Sequence, residues 1–180
     1  MIFNFRIVSD EVDNFKREIQ IDSTATFHDL KKAICDSVGY DSGQMSSFFL
    51  CDDQWEKEKE ITFEDMDTDP GQDVWLMDET ALDELILDDG QKLLYVFDYL
   101  TDRCFFIEMT KAITGRKLRD PLCTLSMGTP PPEMVDLDEF DAKIDAKTAV
   151  TDLDEDFYGS EEYSDDEFEA GNFDEISFDD

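Results

Sequence analysis

Asp98 stands inside the aromatic run LLYVFDYLTDRCFFIEM, Leu93–Met109. A carboxyl group among apolar side chains keeps its proton to higher pH, which is how proteins make a general acid or base. Such a group works only beside a nucleophile, a metal or a polarising group. The residues following the turn, Cys104, Phe105 and Phe106, supply little of that, and the available helpers are Glu108 and Tyr99. An enzyme using Asp98 with one of them is one reading of the run. The other is structural: Asp98 falls next to a turn, where it can accept backbone N–H groups or pair with Arg103. The structural use requires no missing partner, and we expect no catalytic residue here.

Other reactive arrangements are lacking in the sequence. His28 is the sole histidine, expected on the exposed side of a helix, and Cys35, Cys51, Cys104 and Cys123 lie far apart with no C-x-x-C. A zinc site would need ligands from four separate segments, so the cysteines read as reduced core residues of a cytoplasmic protein. DMDTDPGQD, Asp65–Asp73, looks superficially like a calcium loop, but it lacks the terminal Glu and has its glycine in the wrong place. Phosphate-binding glycine loops and the common hydrolase motifs do not occur. No cofactor is expected.

The elements around Asp98 follow from hydrophobic periodicity. Leu93, Tyr95, Phe97 and Tyr99 alternate with Leu94, Val96, Asp98 and Leu100, which predicts a strand covered on both faces over about 91–99, paired with a second over about 103–113. IFNFRIV (Ile2 to Val8) and FKREIQI (Phe15 to Ile21) predict an earlier hairpin. Thr26 with Asp29 three residues on caps a helix whose Leu30, Ala33, Ile34 and Val38 share a face and which Gly39 ends. SSFFLC (Ser46 to Cys51) reads as a short strand, EKEKEITFEDM as a polar connection, and Thr80 to Ile86 as a second, short capped helix with Leu82, Leu85 and Ile86 inward. Trp55 and Trp75 are expected to pack from flanking segments. This order predicts an α+β fold: a mixed sheet built from hairpins, with two or more helices on one face. A composition of 41% hydrophobic and 12% aromatic residues in 180 suffices for its core.

Charge divides the chain. After Lys147 the final 33 residues hold 14 Asp or Glu and no Lys or Arg. Such a run repels itself, and we expect residues 136–180 to form a disordered or weakly helical acidic tail after a domain over 1–135, the weak helix falling at about 136–150. Tyr158, Tyr163, Phe168, Phe173 and Phe178 stand five apart in the tail, a spacing that fits neither a helix face nor a strand face. They are either incidental or anchors for a partner. The formal net charge of −33 opposes direct binding to nucleic acid and to anionic membranes and favours a basic protein. The basic cluster Arg116, Lys117 and Arg119 offers a dock for an acidic ligand or for the chain's own tail; the plainer account is a surface loop whose cations offset nearby acids. There is no secretory leader pattern and no apolar stretch of membrane-spanning length.

Three segments together resemble the plasmid pRiA4b ORF-three-like family. Its signature is close to Y-x-Y-D-F-G-D-x-W-x-H; Tyr95, Phe97, Asp98 and Tyr99 fit it, whereas Leu100, Thr101, Arg103 and Phe105 stand at its Gly, Asp, Trp and His. TFHDLKKAICDSVGYDSGQMSSFF is similar to the family's early helix and Phe-containing strand. DPLCTLSMGTPPPEMV is similar to its later Cys-loop, here Cys123, ending in Pro131, Pro132 and Glu133. The resemblance implies an α+β domain of poorly understood activity and an association with mobile elements. Any site that relatives build from the second acid and the histidine is not implied here, because this chain lacks both.

The expected function is therefore that of a cytoplasmic, non-enzymatic interaction or regulatory protein whose acidic tail engages a basic partner. A second reading makes the acidic surface a nucleic-acid mimic that blocks a DNA- or RNA-binding protein, and the third is the Asp98 enzyme.

Overall fold

A computed structural model describes residues 1–65 and 74–135. Residues 66–73 of the calcium-like stretch, the weak helix expected at 136–150 and the five tail aromatics Tyr158, Tyr163, Phe168, Phe173 and Phe178 lie outside the described residues.

The described residues form one eight-stranded mixed sheet with two helices, an α+β architecture. In chain order the elements are β1 Ile2–Val8, β2 Lys16–Asp22, α1 Phe27–Val38, β3 Ser47–Cys51, β4 Lys57–Thr62, β5 Trp75–Leu76, α2 Leu82–Leu85, β6 Lys92–Asp98, β7 Arg103–Ile113 and β8 Leu122–Met127. Across the sheet they run β5-β4-β3-β6-β7-β1-β2-β8. Every neighbouring pair is antiparallel except β4 with β5.

One face carries the core. Phe3, Phe5 and Ile7 of β1, Ile19 and Ile21 of β2, Phe48 of β3, Leu93 and Tyr95 of β6, and Phe105, Ile107 and Met109 of β7 pack under Phe27, Leu30 and Ile34 of α1 and Leu82 and Leu85 of α2. Period-2 burial in the strands and a helical stripe in α1 thus meet in a single cluster, with both helices on the same side. The first helix starts as its sequence predicts. Thr26 accepts from the Asp29 backbone N–H, the Asp29 carboxylate accepts from that of Thr26, and Gly39 closes the helix at φ 77° with its N–H donating to the Cys35 carbonyl.

Three strands were not expected. KEKEIT forms β4, where its alternation, Lys/Glu and not apolar/polar, predicts a polar connection; only Ile61 is buried. β5 is two residues long. The Cys-loop is strand β8, paired with β2 from Lys16↔Met127 to Gln20↔Leu122, so Cys123 is an exposed strand residue and not a core thiol; Cys104 is half-buried. The second helix is a single turn that begins after Ala81, whose backbone N–H donates to the Glu84 carboxylate. Thr80 is buried and is not its cap. His28 is half-buried with its ring 5.7 Å from Phe63. Trp55 packs edge-on to Phe106 at 5.1 Å on the face away from the helices, and Trp75 belongs to β5.

Candidate functional site

The signature stretch folds as the hairpin of β6 and β7, with a register shift between Val96 and Asp98. That shift separates residues which simple alternation groups together. Tyr95 and Phe97 remain on the helix side, whereas the Tyr99 hydroxyl lies 2.6 Å from the Ser47 hydroxyl. Ser47 pairs with Val96 on the opposite face, so Tyr99 is not a companion of Tyr95.

On the helix side an aromatic stack holds the hairpin. Phe97 and Phe105 approach to 4.9 Å, Tyr40 stacks on Phe105 at 5.7 Å and meets Phe97 edge-on at 5.2 Å, and Phe48 lies 4.9 Å from Tyr95. The Arg103 guanidinium covers the Phe97 ring at 5.1 Å. It forks onto the Glu11 carboxylate at 2.7 and 3.1 Å and donates to the carbonyls of Pro132 at 2.6 Å and Glu133 at 3.2 Å. The Tyr40 hydroxyl donates to the Pro131 carbonyl at 2.6 Å, and the Glu133 carboxylate accepts from the Asp41 backbone N–H. The hairpin and the Pro131–Glu133 segment, far apart in sequence, are one structural unit, with Tyr40, Arg103 and Glu11 as the fasteners. Cys123 is not part of it.

Asp98 uses both oxygens within the turn: Oδ1 accepts from the Leu100 backbone N–H at 3.0 Å and Oδ2 from the Thr101 hydroxyl at 2.7 Å. Arg103, the other expected partner, turns to Glu11 instead. Glu108 is ion-paired with Arg6 at 2.7 Å and lies five residues along β7 from Arg103, which faces Asp98. At about 3.4 Å per residue that is roughly 17 Å. Glu108 is thus not brought to Asp98, and the Tyr99 hydroxyl is taken up by Ser47. Burial pushes the Tyr40 and Tyr95 hydroxyls far above the ordinary phenol range and raises the Cys35 thiol, whose sulfur lies 3.5 Å from the Tyr95 oxygen. Protonated phenols and thiols of this kind neither attack nor accept protons near neutrality. Among the described residues no group of three or more His, Cys, Asp or Glu is placed to hold a metal ion, and no helix is long and apolar enough to cross a membrane.

An open concavity lies elsewhere on the domain. A trough of about 510 Å³ runs between α1 and the 118–123 segment, floored by Ala25, Ala33 and Ile21 and rimmed by Asp22, Asp29, Asp36 and Asp120 together with Lys32 and Arg119. Cys123 opens into it. Of the basic cluster, Arg119 lines the trough, Lys117 an adjoining hollow at its N-terminal end, and all three cations are exposed. Asp22 anchors the loop, accepting from the Leu118 backbone N–H at 3.1 Å; the bond from the Thr24 backbone N–H, and then that from Leu118, hold its carboxyl below the usual range.

The tyrosine clamp, the buried lysine Lys31 (0% exposed, its ammonium 2.6 Å from the Gln44 carbonyl and 3.3 Å from the Phe63 ring centre) and the trough were not foreseen. The helix period does place Lys31 in the buried stripe, four residues from Phe27 and four from Cys35.

No curated protein matches the sequence. Among solved structures, the chain is similar to the crystal structure of MM3350, a protein of unknown function from Methanosarcina mazei Go1, with a TM-score of 0.53 and 17% identity over 69% of this chain and 68% of that one. At that identity the likeness is one of fold. The sequence profile of the plasmid pRiA4b ORF-3-like proteins matches residues 2–179, nearly the full length of the sequence. The chain belongs to the plasmid pRiA4b ORF-3-like protein family.

Proposed function

We propose that this protein is a cytoplasmic, non-enzymatic binding protein: a compact α+β body over 1–135 and an acidic region over 136–180 that engages a basic protein. The observation that carries this reading is the charge distribution. Of the 48 acids, 19 fall in 136–180 against two lysines there, and Tyr158, Tyr163, Phe168, Phe173 and Phe178 give that charge regularly spaced aromatic contacts. The internal use of both Asp98 oxygens, of Arg103 and of the Glu133 carboxylate supports a structural role for the family-motif residues. A link to mobile elements is part of the same reading.

The test is binding of the full chain to a basic protein probe such as lysozyme or a histone, at 50 and 300 mM salt, with the five aromatics intact or replaced by Ser. Salt-sensitive binding that weakens in the Ser variant supports the reading. Binding indifferent to both changes refutes it. Competition by duplex DNA for the same partner would favour the nucleic-acid-mimic reading.

A further inference from the structure

The two ends of the sheet are built differently. The β4 end is guarded in the way natural sheets guard an edge: beyond the two residues covered by β5, its strand reads Lys57, Glu58, Lys59, Glu60. β8 at the other end reads Leu-Cys-Thr-Leu-Ser-Met, without a charge, and among the described residues no strand lies beyond it. Leu122 is 52% exposed and Met127 46%. An uncharged edge with apolar side chains on the surface is a template for another strand. The strand is also held firmly in place from its inner side: buried Arg17 donates to the carbonyls of Met127 at 2.7 Å, Gly128 at 3.1 Å and Ser37, at the end of α1, at 3.1 Å.

The two faces beside this edge differ. Cys123 pairs with Ile19 and Ser126 with Arg17, on the helix side, whereas Leu122, Leu125 and Met127 pair with Gln20, Glu18 and Lys16, on the far side. A strand laid along β8 would place alternate side chains toward the trough, where Asp22, Asp29, Asp36 and Asp120 outnumber Lys32 and Arg119. The intervening side chains would lie against Leu122 and Met127. We propose that the free edge of β8 takes up an extended segment of a basic partner protein, one in which Lys or Arg alternates with apolar residues. This rests on the reading of the protein as a binder of basic partners and gives that partner a second, structured contact. A second copy of this chain fits poorly, since two bodies of the same strong negative charge would meet.

The probe is a fluorescein-labelled ten-residue peptide alternating Val and Lys, with two further versions N-methylated at the even or at the odd positions. Methylation removes the hydrogen-bond donors of one peptide edge and leaves the charge unchanged. With the full chain, the parent peptide is expected to bind, one methylated version to lose at least tenfold in affinity, and backbone amides within 122–127 to exchange at least tenfold more slowly when the peptide is present. Equal affinity for all three peptides, or protection confined to other segments, overturns the proposal. So does protection, in the absence of peptide, of the outward-facing β8 amides that are not bonded to β2, which would assign the edge to a second copy if it rises with protein concentration and to the chain itself if it does not. The five-aromatic Ser variant separates this inference from the reading beneath it. Retained β8 protection in that variant with no loss of affinity refutes the role of the acidic region and keeps the edge; binding lost with the aromatics and without β8 protection does the reverse.

Discussion

The Tyr40 hydroxyl, one residue past the glycine that ends α1, donates to the carbonyl of Pro131 at 2.6 Å. Two turns of the chain 91 residues apart are joined by this bond, in a position where the ring also stacks on Phe105. Tyr40→Phe keeps the stacking and orphans the carbonyl, so it is expected to cost about 1 kcal/mol. Urea unfolding measures it, and a change below a few tenths would show that the bond contributes nothing.

Arg103 is the stronger fastener. It is 6% exposed, forks onto Glu11 and satisfies two carbonyls of the Pro-Pro-Glu segment. Arg103→Met leaves those acceptors in a partly buried site and is expected to cost about 3 kcal/mol. The same substitution should speed proteolysis near residues 131–134, because the segment loses its anchor. A loss of stability without faster cleavage there would place the cost elsewhere.

Asp98→Ala removes both turn bonds. The expected cost is about 1–2 kcal/mol, seen as a lower unfolding midpoint with the far-ultraviolet spectrum unchanged at low temperature. An unchanged midpoint would reopen a chemical role for this carboxylate.

Cysteine reactivity follows from burial. Cys123 is exposed, whereas burial pushes the Cys104 thiol up to about 11 and raises Cys35 and Cys51 as well. The thiolate is the reactive form, so iodoacetamide at pH 8 is expected to label Cys123 first by at least tenfold, as read by peptide mass mapping. The linkage has a definite sign. A thiol whose folded pKa is raised keeps its proton in the native state after the unfolded chain has lost it, so stability falls as pH climbs from about 9 toward 11. Cys104→Ser, which does not titrate there, should flatten that decline.

Periodicity made most of the core readable, and where it misled, the cause is physical. α1 announces itself because its cap, apolar stripe and terminal glycine all agree. β4, flanked only by the two-residue β5, and β8 lie toward opposite ends of the sheet, where half-exposed strands need no apolar alternation, so neither carries the pattern that betrays a buried strand. Lys31 obeys the helix period while hiding a cation beneath Phe63, which residue type alone argues against. The signature residues could be recognised in the sequence, but their partners could not: nothing local connects Arg103 to Glu11 or Tyr40 to Pro131, and the clamp exists only when distant segments meet. The alternation that put Tyr99 beside Tyr95 failed at one register shift, since a single extra residue changes the face of everything after it.

Gly128 tests how closely β8 is seated. Its φ is 75°, and a Cβ added there would meet the Asn14 carbonyl oxygen, so no side chain fits without moving the β1–β2 turn. Gly90 also has a positive φ, 87°, but open space around it. Gly90→Ala therefore carries only the conformational penalty, about 1 kcal/mol. Gly128→Ala adds a backbone clash and is expected to cost at least about twice that, with faster amide exchange in β8 because Arg17 loses its grip on the Gly128 carbonyl. Thermal unfolding compares the two variants directly. Equal costs would mean that the end of β8 yields easily, and a yielding strand could not serve as the fixed template that strand addition needs.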